Sequence, residues 1–322
     1  MEPFSYVAAA NETQALDAGR VGTFIAGGTN LVDYMRLGVL RPSSVVDINQ
    51  LPLTQVKETA GGALEIGALV KNSDLAYHPL VQQRYPVLAE ALLSGASPQI
   101  RNMATTGGNV LQRTRCPYFR DPAVPQCNKR APGSGCAAFG GWNRSHAVLG
   151  GSDRCIATNP SDMNVALAAL DASVHVKGPK GERAIAFTDF HTLPGEHPEI
   201  ETVLEPGELI TSVTIPPIAG RSHYLKVRDR AAFAFALASA AVVLDVAGTI
   251  KTARVALGGV ATKPWRSKEA EAALVGNKPT PDVFRTAADA AMAGAKAQPT
   301  NQFKLELAKR TLMRALTEVS HG

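Results

Sequence analysis

Four cysteines are the residues of this chain best suited to metal or redox chemistry, and all of them lie within residues 116–155. Ten, eight and eighteen residues separate Cys116, Cys127, Cys136 and Cys155. Structural zinc sites and ferredoxin-type runs normally use closer pairs such as Cys-x-x-Cys, which the sequence lacks. The wide spacing favours a loop wrapped around a larger cluster, whose ligands arrive from several directions. Two disulfides and a zinc site stay open as the second and third interpretations.

Regular secondary structure cannot continue through this cysteine segment. Four prolines and a Gly-Ser-Gly step at residues 133–135 interrupt it. A long irregular segment inside a compact protein needs another source of order, which a metal centre would provide. The basic residues among the cysteines are predicted to compensate an anionic centre, with surface solvation as the alternative: Arg113, Arg115, Arg120, Lys129, Arg130, Arg144 and Arg154.

Two glycine-containing turns have the composition of phosphate-binding loops. Residues 27–30 (GGTN) stand between a predicted strand and a predicted helix, and residues 105–109 (TTGGN) have the same character. Glycines let a backbone approach a diphosphate, and free amides at a helix start face it. Neither turn is a Gly-x-Gly-x-x-Gly or Walker fingerprint, and most Gly-Gly turns are only turns. Two such loops nevertheless suit one extended ligand, such as a dinucleotide, clamped from two sides.

Two charged residues are further candidates for cofactor contacts. Asp162 follows a proline and Ser161, which is predicted to cap a helix, so its carboxylate either stabilises the helix dipole or accepts from ribose hydroxyls. Lys226 lies in a charged patch that is either a solvated strand edge or a contact with a cofactor between domains. The histidines lack metal-ligand spacing and no Ser/His/Asp set is evident. The chemistry must therefore come from cofactors.

The elements that must position these residues form two α/β lobes and a third unit. The predicted first lobe covers about residues 1–68 and ends with a strand at 64–68, and the second covers about 69–218. Prolines near residue 217 mark the predicted boundary to an α+β domain at 219–322, with an antiparallel sheet and two helices. A net charge of +5 and 6% aromatic residues argue against nucleic-acid binding. No apolar stretch is long enough for membrane insertion, and no signal peptide is expected.

Residues 24–31 (FIAGGTNL) resemble the first flavin-binding motif of the FAD subunits of molybdenum hydroxylases, such as xanthine dehydrogenase and carbon monoxide dehydrogenase. Residues 104–109 (ATTGGN) resemble their second motif, and the regions of Asp162 and Lys226 agree as well. The resemblance covers essentially the whole chain. It implies a two-lobed FAD-binding domain, PCMH-type and carbon monoxide dehydrogenase flavoprotein-like, at 1–218. A small α+β domain of antiparallel sheet and helices follows.

The cysteine segment narrows the resemblance. Residues 113–119 (RTRCPYF), 127–130 (CNKR) and 132–136 (PGSGC) are similar to the cluster-bearing subunit of periplasmic aldehyde oxidoreductases. In that subfamily, and in related benzoyl-CoA-type reductases, an inserted loop holds a [4Fe-4S] cluster. The resemblance therefore implies an insertion at about 113–156 and four cluster ligands: Cys116, Cys127, Cys136 and Cys155.

The resemblance also implies the contacts of FAD. Asp162 would bind a sugar or ribityl hydroxyl, Ile210 would lie near the isoalloxazine ring, and Lys226 would approach the flavin from the last domain. The two motifs would hold the diphosphate and adenosine side through Thr23, Phe24, Ile25, Ala26, Gly27, Gly28, Thr29, Asn30, Leu31, Thr106, Gly107 and Asn109.

The function implied is that of an electron-transfer subunit. An aldehyde would be oxidised at a molybdenum cofactor on a large partner, and electrons would pass through [2Fe-2S] centres on a small partner to FAD here and then to an external acceptor. The alternatives are a stand-alone flavin oxidase or reductase of the same fold, or a non-redox binding protein with disulfides or zinc. The expected compartment is the periplasm, by co-export with a signal-bearing partner, with the cytoplasm as the alternative.

Overall fold

The computed structural model describes residues 1–321, and its first lobe is a small α/β unit. A three-stranded parallel sheet with strand order β1-β3-β2 carries two short helices. Asn11 caps the first helix by accepting from the amide of Gln14 at 2.9 Å. The elements are β1 (Ser5–Ala8), α1 (Glu12–Gly19), β2 (Thr23–Ile25), α2 (Leu31–Arg36) and β3 (Ser44–Asp47).

The second lobe is a five-stranded antiparallel sheet covered by helices, with strand order β4-β5-β8-β6-β7. Its strands are β4 (Val56–Glu58), β5 (Leu64–Gly67), β6 (Ser173–Gly178), β7 (Gly181–Ala186) and β8 (Leu209–Ile215). Its helices are α3 (Asn72–Tyr77), α4 (Pro79–Arg84), α5 (Pro86–Ser94), α6 (Pro98–Met103), α7 (Thr106–Val110), α8 (Pro117–Arg120), α9 (Asp162–Ala169) and α10 (Phe187–Phe190).

One strand belongs to a different lobe from the one predicted. The sequence groups residues 64–68 with the first lobe, but β5 pairs antiparallel with β8, so that Leu64 lies opposite Ile215. Both of these side chains are fully buried in the main core, which packs the sheet against α5 and α9. Because β8 arrives about 150 residues later in the chain, local pattern carries no information on this pairing.

The third unit is a four-stranded antiparallel sheet with strand order β12-β11-β10-β9 and three helices packed on it. Its amphipathic tail helices confirm the predicted sheet-plus-helices arrangement, and the first of them ends at Ala291. The elements are β9 (Arg221–Val227), β10 (Ala238–Ala247), β11 (Thr249–Gly258), β12 (Trp265–Arg266), α11 (Lys268–Leu274), α12 (Pro281–Ala291) and α13 (Phe303–His321).

The cysteine segment packs onto the first lobe through a small core of its own. Tyr34 of α2 and Phe119 of α8 meet edge to face, with ring centroids 5.8 Å apart. The Tyr34 hydroxyl donates to the carbonyls of Arg113 at 3.2 Å and Thr114 at 3.0 Å. The predicted insertion is thus attached to the helix that follows the first glycine turn. Within residues 1–321, no helix is long and apolar enough to cross a membrane.

Candidate functional site

A cavity of about 850 Å³ opens where the two lobes and the third unit meet. This volume is within the roughly 300–1,000 Å³ range of small-molecule and cofactor sites. The lining combines Asn30 and Asp33 of the first lobe, Asn109 and Asp162 of the second, and Phe235 before β10. A ligand of this cavity would therefore touch all three units, as expected for an extended dinucleotide.

Protein packing and backbone conformation both require glycine in the first glycine turn. A Cβ on Gly27 would lie 1.8 Å from the carbonyl oxygen of Met103, so glycine here permits close contact between the two lobes. Gly28 has a φ of +71°, a left-handed conformation that disfavours other residues. Thr29 and Asn30 are the residues of this turn that line the cavity, and the contact of the glycine backbone with a diphosphate stays a prediction.

The second turn is fixed by hydrogen bonds from its backbone. The amide of Thr106 donates to Val70 at 2.9 Å, and that of Gly107 donates to Ala68 at 2.8 Å. The Asn30 side chain donates to the carbonyl of Gly108 at 2.8 Å and so joins the two turns. Asn109 lines the cavity. The two predicted motifs are therefore neighbours, as the clamp hypothesis requires.

Asp162 and Lys226 meet directly. The Lys226 ammonium donates to Oδ2 of Asp162 at 2.7 Å and to the carbonyl of Ser94 at 3.0 Å. The Tyr224 hydroxyl donates to Oδ1 of the same carboxylate at 2.6 Å. Burial, with the Asp162 charge as a second cause, raises the pKa of Tyr224 well above its ordinary value. Of these residues, Asp162 lines the cavity. Lys226 does not line it and contacts the Asp162 carboxylate instead.

Tyr224 is a site residue that the sequence analysis missed. It lies two residues before Lys226 on β9, and alternate residues of a strand point to the same face. That spacing could have paired the two side chains. Local sequence does not show that both side chains contact Asp162, which lies about 60 residues away in α9.

Several predicted flavin contacts lie outside the cavity lining. Thr23, Phe24 and Ile25 form β2 beside β3, and Leu31 begins α2. Ile210 lies opposite Val176 of β6 and is buried in the main core. Their roles towards FAD stay predictions, as do the contacts assigned to Ala26, Gly27, Gly28, Thr106 and Gly107.

The four cysteines line one small cavity and all are free thiols. Cys127 and Cys136 face each other across an isolated antiparallel bridge. The sulfur of Cys116 lies 3.1 Å from Nε2 of His146. In the part of the chain that the structure describes, no three His, Cys, Asp or Glu side chains form a group that could hold a metal ion. The thiols therefore surround a common space but do not converge on one point. A tetrahedral zinc site requires such convergence.

Burial disfavours the thiolate form of Cys116, Cys136 and Cys155. Burial raises the pKa of Cys116 to about 12, and the neighbouring Cys155 and Cys127 add to the effect. Burial likewise raises the pKa of Cys136 and Cys155, although the Lys129 charge opposes it at Cys155. Thiols whose pKa is raised in this way become stable thiolates when metal cations replace their protons. Cysteine sulfur is the donor type that thiophilic metal centres use.

Most basic residues of the segment do not serve the cysteine cavity, so the prediction that the whole group compensates an anionic centre is wrong. Lys129 and Arg154 line that cavity. Arg130 donates to the carbonyls of Tyr118 and Phe119, both at 2.8 Å. The others pair with carboxylates elsewhere: Arg113 with Glu201, Arg115 and Arg120 with Asp33, and Arg144 with Asp229.

The large cavity and the cysteine cavity adjoin. Arg115 lines the former and the next residue, Cys116, lines the latter. A third cavity of about 190 Å³ lies between them and is lined by Cys116, His146 and Asp162, among others. The predicted flavin and cluster sites are therefore separated by only a few side chains.

This two-lobed fold, its interlobe cavity and its third unit are the architecture expected of a protein that binds an extended dinucleotide cofactor. Residues 2–218 match the model of the FAD binding domain in molybdopterin dehydrogenase, and residues 223–319 match that of the carbon monoxide dehydrogenase flavoprotein C-terminal domain. The chain belongs to the FAD-binding subunits of the molybdenum hydroxylase family, which are parts of oxidoreductases. The predictions of family, fold class and FAD are confirmed.

Individual relatives agree over nearly the whole chain. It is 52% identical over 323 residues to the aldehyde oxidoreductase FAD-binding subunit PaoB of Escherichia coli (strain K12), covering 99% of this chain and 98% of that one. The glyceraldehyde dehydrogenase medium chain of Sulfolobus acidocaldarius is 27% identical, with 98% of each chain covered. A solved carbon monoxide dehydrogenase of Hydrogenophaga pseudoflava superimposes with a TM-score of 0.77 at 28% identity, covering 99% and 98% of the two chains.

Proposed function

We propose that this chain carries FAD and a [4Fe-4S] cluster in a molybdenum-cofactor aldehyde oxidoreductase and conducts electrons from the partner subunits to an external acceptor. The observation that carries the proposal is the 52% identity over nearly full length to a chain named as the FAD-binding subunit of an aldehyde oxidoreductase. The adjoining cavities support it, because a redox chain needs its centres close together.

In this proposal the interlobe cavity holds FAD. Thr29, Asn30 and Asn109 offer polar side chains to the ligand from the two turns. Asp162 binds a sugar or ribityl hydroxyl, and Tyr224 and Lys226 keep its carboxylate oriented and charged. FAD would supply the conversion between two-electron and one-electron transfer, which none of the side chains can perform.

Cys116, Cys127, Cys136 and Cys155 are the proposed ligands of the cluster. A cubane binds one thiolate at each iron, so it needs four thiols around a volume rather than at a point. Phe119 and Ala138, both almost fully buried, also line the cavity. The cluster would supply one-electron transfer next to the flavin, and it would also brace a segment that has little regular structure of its own.

The partners in this proposal are a large subunit with the molybdenum cofactor and a small subunit with [2Fe-2S] centres. Several relatives are named medium chains or medium subunits of dehydrogenases or hydroxylases. Such names support an assembly in which substrate oxidation occurs on another chain. We further propose co-export to the periplasm with a signal-bearing partner, which fractionation of cells would test against the cytoplasmic alternative.

Aldehyde-dependent reduction tests the proposed function. Addition of an aldehyde to the purified complex without acceptor should bleach the flavin absorbance at about 450 nm. The separated chain, which has no molybdenum site, is the matched control and should keep its absorbance. Bleaching in the separated chain would instead support a stand-alone flavin enzyme. A complex whose flavin no aldehyde reduces would contradict the proposal.

A further inference from the structure

We propose that Arg115, a residue of the cysteine segment, binds a phosphate group of FAD and thereby links the flavin site to the cysteine cavity. The inference rests on the proposed function, because it takes FAD as the ligand of the large cavity. It adds a binding residue from outside the two glycine turns, on a segment otherwise assigned to the cluster.

The charges around Asp33 leave one arginine in excess. Arg120 engages both carboxylate oxygens of Asp33, with Nη1 at 2.6 Å from Oδ2 and Nη2 at 3.2 Å from Oδ1. The Arg120 hydrogen bond is the largest of the causes that hold the pKa of Asp33 below its ordinary value. Arg115 makes only one hydrogen bond with Asp33, from Nη1 to Oδ2 at 2.7 Å. One carboxylate thus faces two guanidinium groups, and the Arg115 charge is the less fully compensated.

Arg115 is held rigidly at the cavity wall. Its guanidinium lies over the rings of Tyr34 and Phe235, with centroid distances of 5.6 and 5.5 Å. Its Nη2 donates to Oδ1 of Asn30 at 3.2 Å. Its Nε is buried and has no hydrogen-bond partner among the described residues. A buried donor without a partner is costly, so a ligand oxygen at this position would recover that energy.

The position of Arg115 selects the phosphate end of the ligand. It touches Asn30, which belongs to the first turn and lines the same cavity. The other cavity arginines are used differently, since Arg101 donates to the carbonyls of Leu93 and Gly95 and Arg230 donates to that of Phe233. A planar guanidinium is well matched to phosphate oxygens. The surplus positive charge therefore lies where the turn would place the diphosphate.

The chain connection makes the two sites interdependent. Arg115 is bonded directly to Cys116, whose sulfur lines the cysteine cavity. Any change that frees Cys116 also frees the backbone that carries the Arg115 side chain. Loss of the cluster should therefore weaken FAD binding, although no cysteine lines the flavin cavity.

Titration of the flavin-stripped complex with FAD tests this inference. Arg115→Ala should raise the Kd for FAD about 10- to 100-fold, the loss expected for one charge-assisted hydrogen bond. It should also flatten the dependence of Kd on ionic strength, which a purely structural role would not change. Arg41→Ala is the matched control. Arg41 pairs with Glu2 on the first lobe and lines neither cavity, so its loss should leave both quantities unchanged.

If Arg115→Ala does not fold, Arg115→Gln decides, because it keeps much of the length and polarity and removes the charge. A Kd within about twofold of the wild type, with unchanged salt dependence, overturns the inference for whichever variant folds. In that case the proposed function stands, since the wild type still binds FAD. A wild-type complex that takes up no FAD would overturn both.

Discussion

The flavin cavity and the cysteine cavity are neighbours that are built in opposite ways. The flavin cavity is bounded by turns whose backbone groups bond to regular elements, as Gly107 bonds to Ala68 at the end of β5. The cysteine cavity is bounded by a segment whose one helix is α8, four residues long. The first site is preformed by the fold, whereas in the proposed function the second is ordered by a cluster on its thiols. The two sites should therefore respond differently to the same kind of damage.

The largest effect is expected from removal of one proposed cluster ligand. Cys127→Ser should abolish iron binding, because an incomplete thiolate set does not retain the cluster. The loosened segment should then be cut by protease within residues 113–156, while FAD stays partly bound. Iron content, flavin content and limited proteolysis measure these changes. Ser134→Ala, which removes a neutral hydroxyl that accepts from the Cys127 amide, is the matched control and should keep its iron. Full iron in Cys127→Ser would refute its role as a ligand.

The next largest effect is expected at the buried ion pair of the flavin site. Asp162→Ala leaves the Lys226 ammonium, whose side chain is 3% exposed, without a carboxylate. Breaking such a pair costs about 3–5 kcal/mol of unfolding free energy. Tyr224→Phe removes only one hydrogen bond to the same carboxylate and keeps the charge pair, so it should cost about 1.5–3 kcal/mol. Denaturant unfolding measures both, and equal losses would show that the charge pair is not the main contribution.

A smaller effect is expected where the two lobes touch. Gly27→Ala should destabilise the protein by about 1–3 kcal/mol, because the new Cβ overlaps the carbonyl of Met103. FAD affinity should fall as the turns separate, but iron content should not. Gly61→Ala, in open space, is the control. Iron lost in step with flavin from Gly27→Ala would show that the cysteine cavity also depends on the contact between the two lobes.

The smallest effect concerns pH and the contact between the second lobe and the third unit. His223 lies between Glu90 of α5 at 2.9 Å and Glu318 of α13 at 2.8 Å. Both carboxylates raise the pKa of His223, with the Glu90 hydrogen bond as the largest cause. The stabilisation is therefore full below the unfolded-state pKa and lost as the pH rises through the folded-state pKa. His223→Gln should flatten this part of the pH profile of Tm, and an unchanged profile would contradict the assignment.

Local sequence predicted the helices whose ends are marked by a proline, a glycine or a capping residue. Helix α5 begins with Pro86 and ends before Gly95, and α9 begins after Ser161, whose hydroxyl accepts from the amide of Asn164 at 3.1 Å. Helix propensity and caps are properties of neighbouring residues, so they can be read from the chain. The family resemblance then supplied the architecture and FAD, which spacing alone left open.

The contacts that build the sites were less predictable because they are long-range. The pairing of β5 with β8, the Tyr224 hydroxyl on Asp162 and the Arg115 contact with Asn30 each join distant parts of the chain. The basic residues of the cysteine segment show the same limit. Their proximity in sequence suggested one shared anionic partner, but folding distributes them among several carboxylates.

The iron-to-FAD ratio of the purified full-length chain tests the central claim most directly. One chain that holds a cluster beside its flavin should contain about four irons per FAD and should lose them, but not all of its FAD, in Cys127→Ser. A chain with full FAD, no iron and four cysteines that are oxidised or titrate as free thiols would contradict the account. The flavin site would then stand alone, and the cysteine segment would need another explanation.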